Sequence, residues 1–111
     1  MKLSDIATII KGWKMPYAYY EFENTAPEPP YVVYFLDESD DFFADNINYQ
    51  KNRTLYIELY CSSKKESMAQ EAIIESSLIT NEMPFSKAND YISSERLYVT
   101  VYTMEVCYEQ Q

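Results

Sequence analysis

Two segments of the chain alternate between aliphatic and other side chains, a pattern typical of β-strands. In residues 49–60 the aliphatic positions are Leu55, Ile57 and Leu59, and the positions around them are Thr54, Tyr56, Glu58 and Tyr60. In residues 96–107 the aliphatic positions are Leu97, Val99 and Val101, alternating with Tyr98, Thr100 and Tyr102. Because successive side chains of a strand point to opposite faces, each strand has an aliphatic face and a tyrosine-rich face. We predict that both belong to one antiparallel sheet whose aliphatic face covers the core.

Three further segments are predicted to be extended. Residues 31–36 are continuously apolar, which indicates a strand that is buried on both faces. Residues 17–22 form a short extended piece, and the prolines of residues 23–30 then make a stiff connection. Residues 85–93 are predicted to form a weak, polar strand. The chain therefore contains four to five strands.

Two amphipathic helices are predicted from apolar residues at helical spacing. The first spans residues 3–11 and gathers Leu3, Ile6, Ala7 and Ile10 on one side. The second begins at Ser63-Lys64-Lys65-Glu66, which matches a capping box, and runs to Ile79 or Thr80. The stripe of the second helix that we predict to face the sheet consists of Met68, Ala69, Ala72, Ile73, Ser76 and Ile79.

These elements predict an α+β fold in a single domain of residues 1–111, with the order α-β-β-β-α-β-β. Two helices are too few to cover both faces of an antiparallel four- to five-stranded sheet, so we place both on the aliphatic face. The tyrosine-rich face then stays open, and we predict that it binds a protein partner. Its residues are Tyr56, Tyr60, Tyr98 and Tyr102. The alternative is that long charged neighbours shade these rings.

An acidic segment, residues 37–46, precedes the central strand and carries two adjacent phenylalanines. It does not match a calcium-binding loop, because its sixth residue is Phe42 and its twelfth position is Asn48. Phe42 and Phe43 either dock onto a partner or cover the edge of the sheet. We predict an interaction site here that consists of Asp41, Phe42, Phe43 and Asp45.

Composition narrows the function. The net charge is −9, which disfavours nucleic-acid binding through a basic face. The chain has no histidine, the commonest general base and metal ligand. We therefore predict a protein that is not an enzyme, with no catalytic residues, cofactor or metal. Cys61 and Cys107 are predicted to be reduced, partly buried thiols. The N-terminal residues do not form a secretory signal, no segment reaches transmembrane length, and we expect a cytoplasmic protein.

The order of motifs resembles the tail terminator, or tail-to-head joining, proteins of long-tailed phages and Gram-positive prophages. The resemblance rests on structural motifs along nearly the whole chain: a short helix, P-Y-A-Y-Y-E-F-E at 16–23, a proline-rich link, acid-F-F-A-D-N at 41–46, Y-x-K and Y-x-I-E-L-Y within 49–60, a helix, and Y-T-M-E-V at 102–106.

This resemblance implies a mixed α/β unit that assembles into a hexameric ring. Such a ring caps the tail tube, ends its elongation and presents a surface to the head connector or stopper protein. The implied partners are other copies of the chain, the tube protein and the connector, without sequence-specific nucleic-acid binding or membrane contact. The implied location is the host cytoplasm during assembly and then the neck of the virion.

Three alternatives stay open at this point. A head-completion adaptor of the phage neck has a similar size and acidity. A metal-dependent nuclease would use Asp37, Asp40 and Asp41, but no lysine or histidine accompanies these acids in their loop. A host-directed protein-interaction module would have no role in the virion.

Overall fold

The computed structural model of the chain describes residues 1–37 and 51–108. These residues form two helices and five strands. Along the chain they are α1 (Leu3–Lys11), β1 (Tyr17–Tyr19), β2 (Tyr31–Leu36), β3 (Lys51–Cys61), α2 (Lys64–Thr80), β4 (Ser86–Ile92) and β5 (Leu97–Tyr108). The α+β class with a five-stranded sheet and two helices is therefore confirmed.

The sheet is mixed, so the prediction of an antiparallel sheet is wrong. Its strand order is β1-β2-β3-β5-β4, which differs from the order along the chain. β2, β3, β5 and β4 pair antiparallel with their neighbours. β1 pairs parallel with β2, placing Tyr17 beside Val32 and Tyr19 beside Tyr34. The physical reason is the connection at 20–30, which returns the chain to the end of the sheet where β1 began instead of forming a tight hairpin turn.

Strand register divides the sheet into two faces. On the inner face, Leu55, Ile57 and Leu59 of β3 lie opposite Met104, Tyr102 and Thr100 of β5. On the outer face, Tyr56, Glu58 and Tyr60 of β3 lie opposite Thr103, Val101 and Val99 of β5. The inner face is the core side, since the six residues named on it are all buried.

The prediction that four tyrosines share one open face is therefore wrong. Tyr56 and Tyr60 lie on the outer face, whereas Tyr98 and Tyr102 lie on the inner face with the aliphatic residues of β3. Tyr102 is fully buried. A tyrosine ring fills core space as well as an aliphatic side chain when its hydroxyl finds a partner. The Tyr102 hydroxyl donates to Glu75 Oε2 at 2.8 Å, and the valines of β5 take the outer face instead.

Both helices pack on the inner face. Ile6 and Ile10 of α1, together with Ile74 and Leu78 of α2, belong to the same buried cluster as the inner-face residues of β2, β3 and β5. α1 begins where the Asp5 carboxylate accepts a hydrogen bond from the Lys2 amide at 2.7 Å. Both helices are thus anchored by a few large aliphatic side chains.

The predicted inner stripe of α2 is wrong, because all six of its residues are exposed and the opposite side of the helix faces the sheet. The buried residues are Ser67, Glu71, Ile74 and Leu78, while Met68, Ile73 and Ile79 are exposed. The capping residues are confirmed, because Ser63 Oγ accepts from the Glu66 amide at 3.1 Å. The helix has apolar residues on two sides. The side that faces the sheet also carries Glu71, which accepts hydrogen bonds from Asn89 of β4 and Thr100 of β5.

Both edges of the sheet are poor pairing surfaces. β1 contains only three residues. β4 is exposed along most of its length and carries charged residues at Lys87 and Asp90. Neither edge is therefore a candidate interaction surface.

Candidate protein-interaction surface

Six aromatic rings form two rows across the outer face of the sheet. In the first row, Tyr20 stacks on Phe35 with 5.2 Å between ring centroids, and Phe35 stacks on Tyr56 at 5.0 Å. In the second row, Phe22 meets Tyr31 edge-on at 5.4 Å, and Tyr31 stacks on Tyr60 at 4.9 Å. These six residues are called the outer aromatic surface: Tyr20, Phe22, Tyr31, Phe35, Tyr56 and Tyr60.

The space between the two rows has an apolar floor with one carboxylate. Val33, Glu58 and Val101 lie side by side on β2, β3 and β5. Glu58 Oε1 accepts a hydrogen bond from the Tyr60 hydroxyl at 2.9 Å. Burial, followed by this hydrogen bond, raises the pKa of Tyr60 further above neutral pH, where the hydroxyl is protonated and donates.

Among the described strand residues that the register places on the outer face, the charged ones are all acidic. The acidic residues on it are Glu58, Glu105 and Asp90, and the register places Arg53 and Lys87 on the inner face. A partner that covers this face must therefore supply apolar groups, and basic side chains on the partner would be attracted to it.

The predicted site residues are only partly brought together. Tyr56 and Tyr60 are half-buried members of the two rows. Tyr98 lies on the inner face and packs against Tyr91, with ring centroids 4.7 Å apart. Tyr102 is too deeply buried to reach a partner. Asp41, Phe42, Phe43 and Asp45 lie outside the described residues, as do the Asp40 and Asp41 carboxylates of the nuclease alternative.

Sequence reasoning missed the aromatic residues contributed by β2 and by the segment after β1. The apolar run 31–36 was predicted to be buried on both faces. This is confirmed for five of its six residues, and Phe35 is half-buried. Tyr31 and Phe35 are covered by neighbouring rings. A usable signal was the alternation within this run, since Tyr31, Val33 and Phe35 occupy one side of the strand.

A second cluster joins α2 to β4 and β5 on the inner face. Glu71 Oε2 accepts hydrogen bonds from Thr100 Oγ1 at 2.6 Å, Ser67 Oγ at 2.9 Å and Asn89 Nδ2 at 3.0 Å. The Lys87 ammonium lies 3.0 Å from Glu71 Oε1 and 2.7 Å from Glu75 Oε2. The cluster holds the polar edge strand β4 against the helix.

Glu71 is ionised and saturated with donors. Burial alone raises the pKa of a carboxyl group, but the hydrogen bonds from Thr100, Lys87, Ser67 and Asn89 outweigh it and lower the pKa of Glu71 to about 2. A carboxylate in this state neither donates nor accepts a proton near neutral pH. The cluster therefore stabilises the fold and does not have the protonation behaviour of a general acid or base.

Both cysteines are thiols. Cys61 is buried on the inner face, and its pKa is raised to about 12, chiefly by burial. Cys107 is exposed, so the predicted burial holds for Cys61 only. Within residues 1–37 and 51–108, no group of three or more histidine, cysteine, aspartate and glutamate side chains is arranged to hold a metal ion. No helix in the same ranges is long and apolar enough to cross a membrane.

Comparison of the chain with models of known protein families finds no match, and neither does comparison with curated proteins or with solved structures.

Proposed function

We propose that this chain is a structural protein of phage or prophage assembly that acts as a tail terminator. In this role copies of the chain form a ring, cap the tail tube, end its elongation and join it to the head connector. The observation that carries the proposal is the outer aromatic surface, six rings in two rows on a sheet face that neither α1 nor α2 covers.

The chemistry of this surface suits permanent protein contacts. Tyrosine and phenylalanine bury a large area at a small cost in side-chain entropy, and they are enriched in protein interfaces. Their rings are already ordered by mutual stacking, so a partner immobilises few additional torsions on binding. Such a surface supports an assembly role for the protein.

The charge of the chain fits a ring through which DNA passes. A net charge of −9 repels a polyanion, which allows DNA to move through a lumen without adhering. The Glu71 cluster supports a role without catalysis, because its carboxylate is saturated by four side-chain donors. The motif order described above supplies the particular role of tail termination.

Electron microscopy of particles from a prophage whose copy of this gene is disabled tests the proposal. We expect abnormally long tubes that are not attached to heads. Tubes of normal length beside separate, filled heads would contradict termination and indicate a joining or adaptor role. Ordinary infectious particles would contradict any assembly role in the neck. Restoration of normal tails by the gene supplied in trans is the control.

A further inference from the structure

β4 differs from β2, β3 and β5 in how little of it is buried. Six of its seven residues are exposed, and Ile92 at its end is half-buried. No residue of 86–92 belongs to the buried cluster that β2, β3, β5 and the two helices share. Tyr91 packs on Tyr98 but stays 46% exposed. Because burial of apolar surface is the main force that keeps an element in place, β4 contributes little of this force.

Polar side chains attach β4 to the rest of the molecule, in addition to its backbone pairing with β5. The Lys87 ammonium forms ion pairs with Glu71 Oε1 at 3.0 Å and with Glu75 Oε2 at 2.7 Å, both on α2. Asn89 Nδ2 donates hydrogen bonds to Glu71 Oε2 at 3.0 Å and to Thr100 Oγ1 at 2.9 Å. Water can replace polar contacts of this kind at a modest cost in free energy.

β5 does not depend on β4 for its place in the sheet. Its other neighbour, β3, pairs with it from Tyr98 to Tyr108. Tyr102 and Met104 of β5 belong to the buried cluster that includes both helices. Met83 and Phe85, which precede β4 in the chain, also pack in or against that cluster. Removal of β4 would therefore leave a four-stranded sheet with its core intact.

Glu71 also keeps hydrogen-bond donors when β4 is absent. Its Oε2 atom accepts from Thr100 Oγ1 at 2.6 Å and from Ser67 Oγ at 2.9 Å. These two donors belong to β5 and α2, which stay in place. A buried carboxylate that lost all of its donors would be strongly unfavourable. The two remaining donors, together with water that enters the vacated space, avoid this cost.

The turn between β4 and β5 has a backbone conformation that costs free energy. Arg96 has a φ of 55°, in the left-handed region that residues with a Cβ adopt at a cost. The hydrogen bonds of the turn run from the Glu95 amide to the Ile92 carbonyl at 3.2 Å and from the Arg96 amide to the Ser93 carbonyl at 3.3 Å. Opening of the hairpin releases Arg96 from this conformation, which favours detachment of β4.

We propose that β4 is a releasable edge strand. Residues 86–96 detach from β5 and α2 while the other four strands and both helices stay folded, and the ion pairs of Lys87 with Glu71 and Glu75 set how often they detach. Release uncovers the backbone edge of β5 from Leu97 to Thr103, which β4 covers in the closed state. β4 therefore controls access to this edge through a local opening equilibrium. The inference does not depend on the proposed role in tail assembly.

Native-state hydrogen exchange followed by NMR measures such opening residue by residue. The amides to compare are those of β4 and those of β3 that donate hydrogen bonds to β5. In the wild-type protein we expect the β4 amides to exchange at least about tenfold faster than the β3 amides. Exchange of the β4 amides should depend weakly on urea concentration, and that of the β3 amides steeply, because release of β4 exposes little surface.

Two variants separate local release from unfolding of the whole domain. Ile6→Val weakens the buried core at α1. It should speed exchange of the β3 amides about two- to tenfold and leave the β4 amides unchanged, because the open state keeps this packing. Lys87→Met removes the ion pairs and should speed exchange of the β4 amides about fivefold or more. Lys11→Met, at an exposed position of α1, is the matched charge control and should leave the β4 amides unchanged.

Equal acceleration of the β3 and β4 amides by Ile6→Val would show that β4 opens only when the domain unfolds, and it would overturn the inference. Wild-type β4 amides that exchange as slowly as the β3 amides would do the same. An unchanged β4 rate in Lys87→Met would overturn the role given to the ion pairs. Circular dichroism checks the fold of each variant. Ile10→Val replaces Ile6→Val, and Lys87→Gln replaces Lys87→Met, if the first choice does not fold.

Discussion

Ile57 of β3 and Tyr102 of β5 lie directly opposite each other on the inner face, and both side chains are buried. The Tyr102 ring also meets Phe85 edge-on, with 5.2 Å between centroids. Its hydroxyl reaches Glu75 on α2. This pair therefore connects the centre of the sheet to the helix through both apolar contact and a hydrogen bond.

Ile57→Asp is expected to unfold the protein. The substitution buries a carboxylate with no partner among the aliphatic residues of β3 and costs about 4 kcal/mol or more, a large part of the roughly 5–15 kcal/mol that stabilises a typical domain. Chemical denaturation followed by circular dichroism should show no cooperative transition. Ser86→Asp, at an exposed position of β4, is the control. A well-folded Ile57→Asp protein would contradict the register.

Tyr102→Phe is expected to lower the free energy of unfolding by about 1–2 kcal/mol while keeping the fold. The ring and its packing remain, and only the hydrogen bond to Glu75 is lost. Glu75 keeps its ion pair with Lys87 at 2.7 Å, which limits the cost. Urea denaturation measures the difference, with Tyr98→Phe as the matched control. Equal stabilities of the wild-type protein and Tyr102→Phe would show that this hydrogen bond does not contribute.

The contribution of Glu71 to stability should depend on pH. Its pKa is lowered from 4.5 to about 2 in the folded protein. The ionised form is thus favoured by folding, by about 3 kcal/mol. This stability is fully present above pH 4.5 and is lost as the pH falls towards 2.

Comparison of the wild-type protein with Glu71→Gln isolates this effect from the other carboxyl groups. The difference in free energy of unfolding between the two proteins should be largest near pH 7 and should narrow between pH 4.5 and 2. Urea denaturation at several pH values measures it. A difference that stays constant with pH would show that the Glu71 carboxylate gains nothing from its four donors.

The two thiols should differ strongly in reactivity. Cys61 is fully buried and its pKa is raised to about 12, so almost no thiolate forms at neutral pH. Cys107 is exposed. Ellman's reagent should therefore titrate one thiol in the folded protein and two in denaturant. Cys107→Ser should abolish the reaction of the folded protein, and rapid reaction of that variant would contradict the burial of Cys61.

The sequence predicted the main strands because the alternation at Leu55, Ile57 and Leu59 admits one interpretation. It did not predict which side of β5 faces the core. Val99 and Val101 form an aliphatic set, but Tyr102 and Met104 are the residues that join the core cluster with α2. Hydrophobicity alone ranks tyrosine below valine, whereas the choice between faces depends on volume and on the partner of the hydroxyl.

The orientation of α2 was missed for a related reason. Ile74 and Leu78 lie on one side of the helix, and Ile73 and Ile79 lie on another, so both sides satisfy an apolar pattern. Which side of α2 faces the sheet is decided by Glu71, which accepts hydrogen bonds from donors on β4 and β5. These donors are distant from Glu71 in the sequence.

The outer aromatic surface was predicted only through Tyr56 and Tyr60. The positions of Tyr20 and Phe22 depend on the chain after β1 returning across the sheet, because β1 pairs parallel with β2. No short-range pattern specifies this pairing. The aromatic content of residues 17–22 was visible in the sequence, but the contacts of these rings follow from long-range topology.

The short β1 and the charged β4 affect how the protein behaves when it is abundant. Open sheet edges recruit strands from other molecules and can seed fibrils. Here one edge offers three residues, and the other presents Lys87 and Asp90. Addition of strands from other molecules is therefore disfavoured at both edges of the sheet. Newly synthesised copies can accumulate without aggregating through their backbones, which leaves side-chain surfaces to select the correct neighbour.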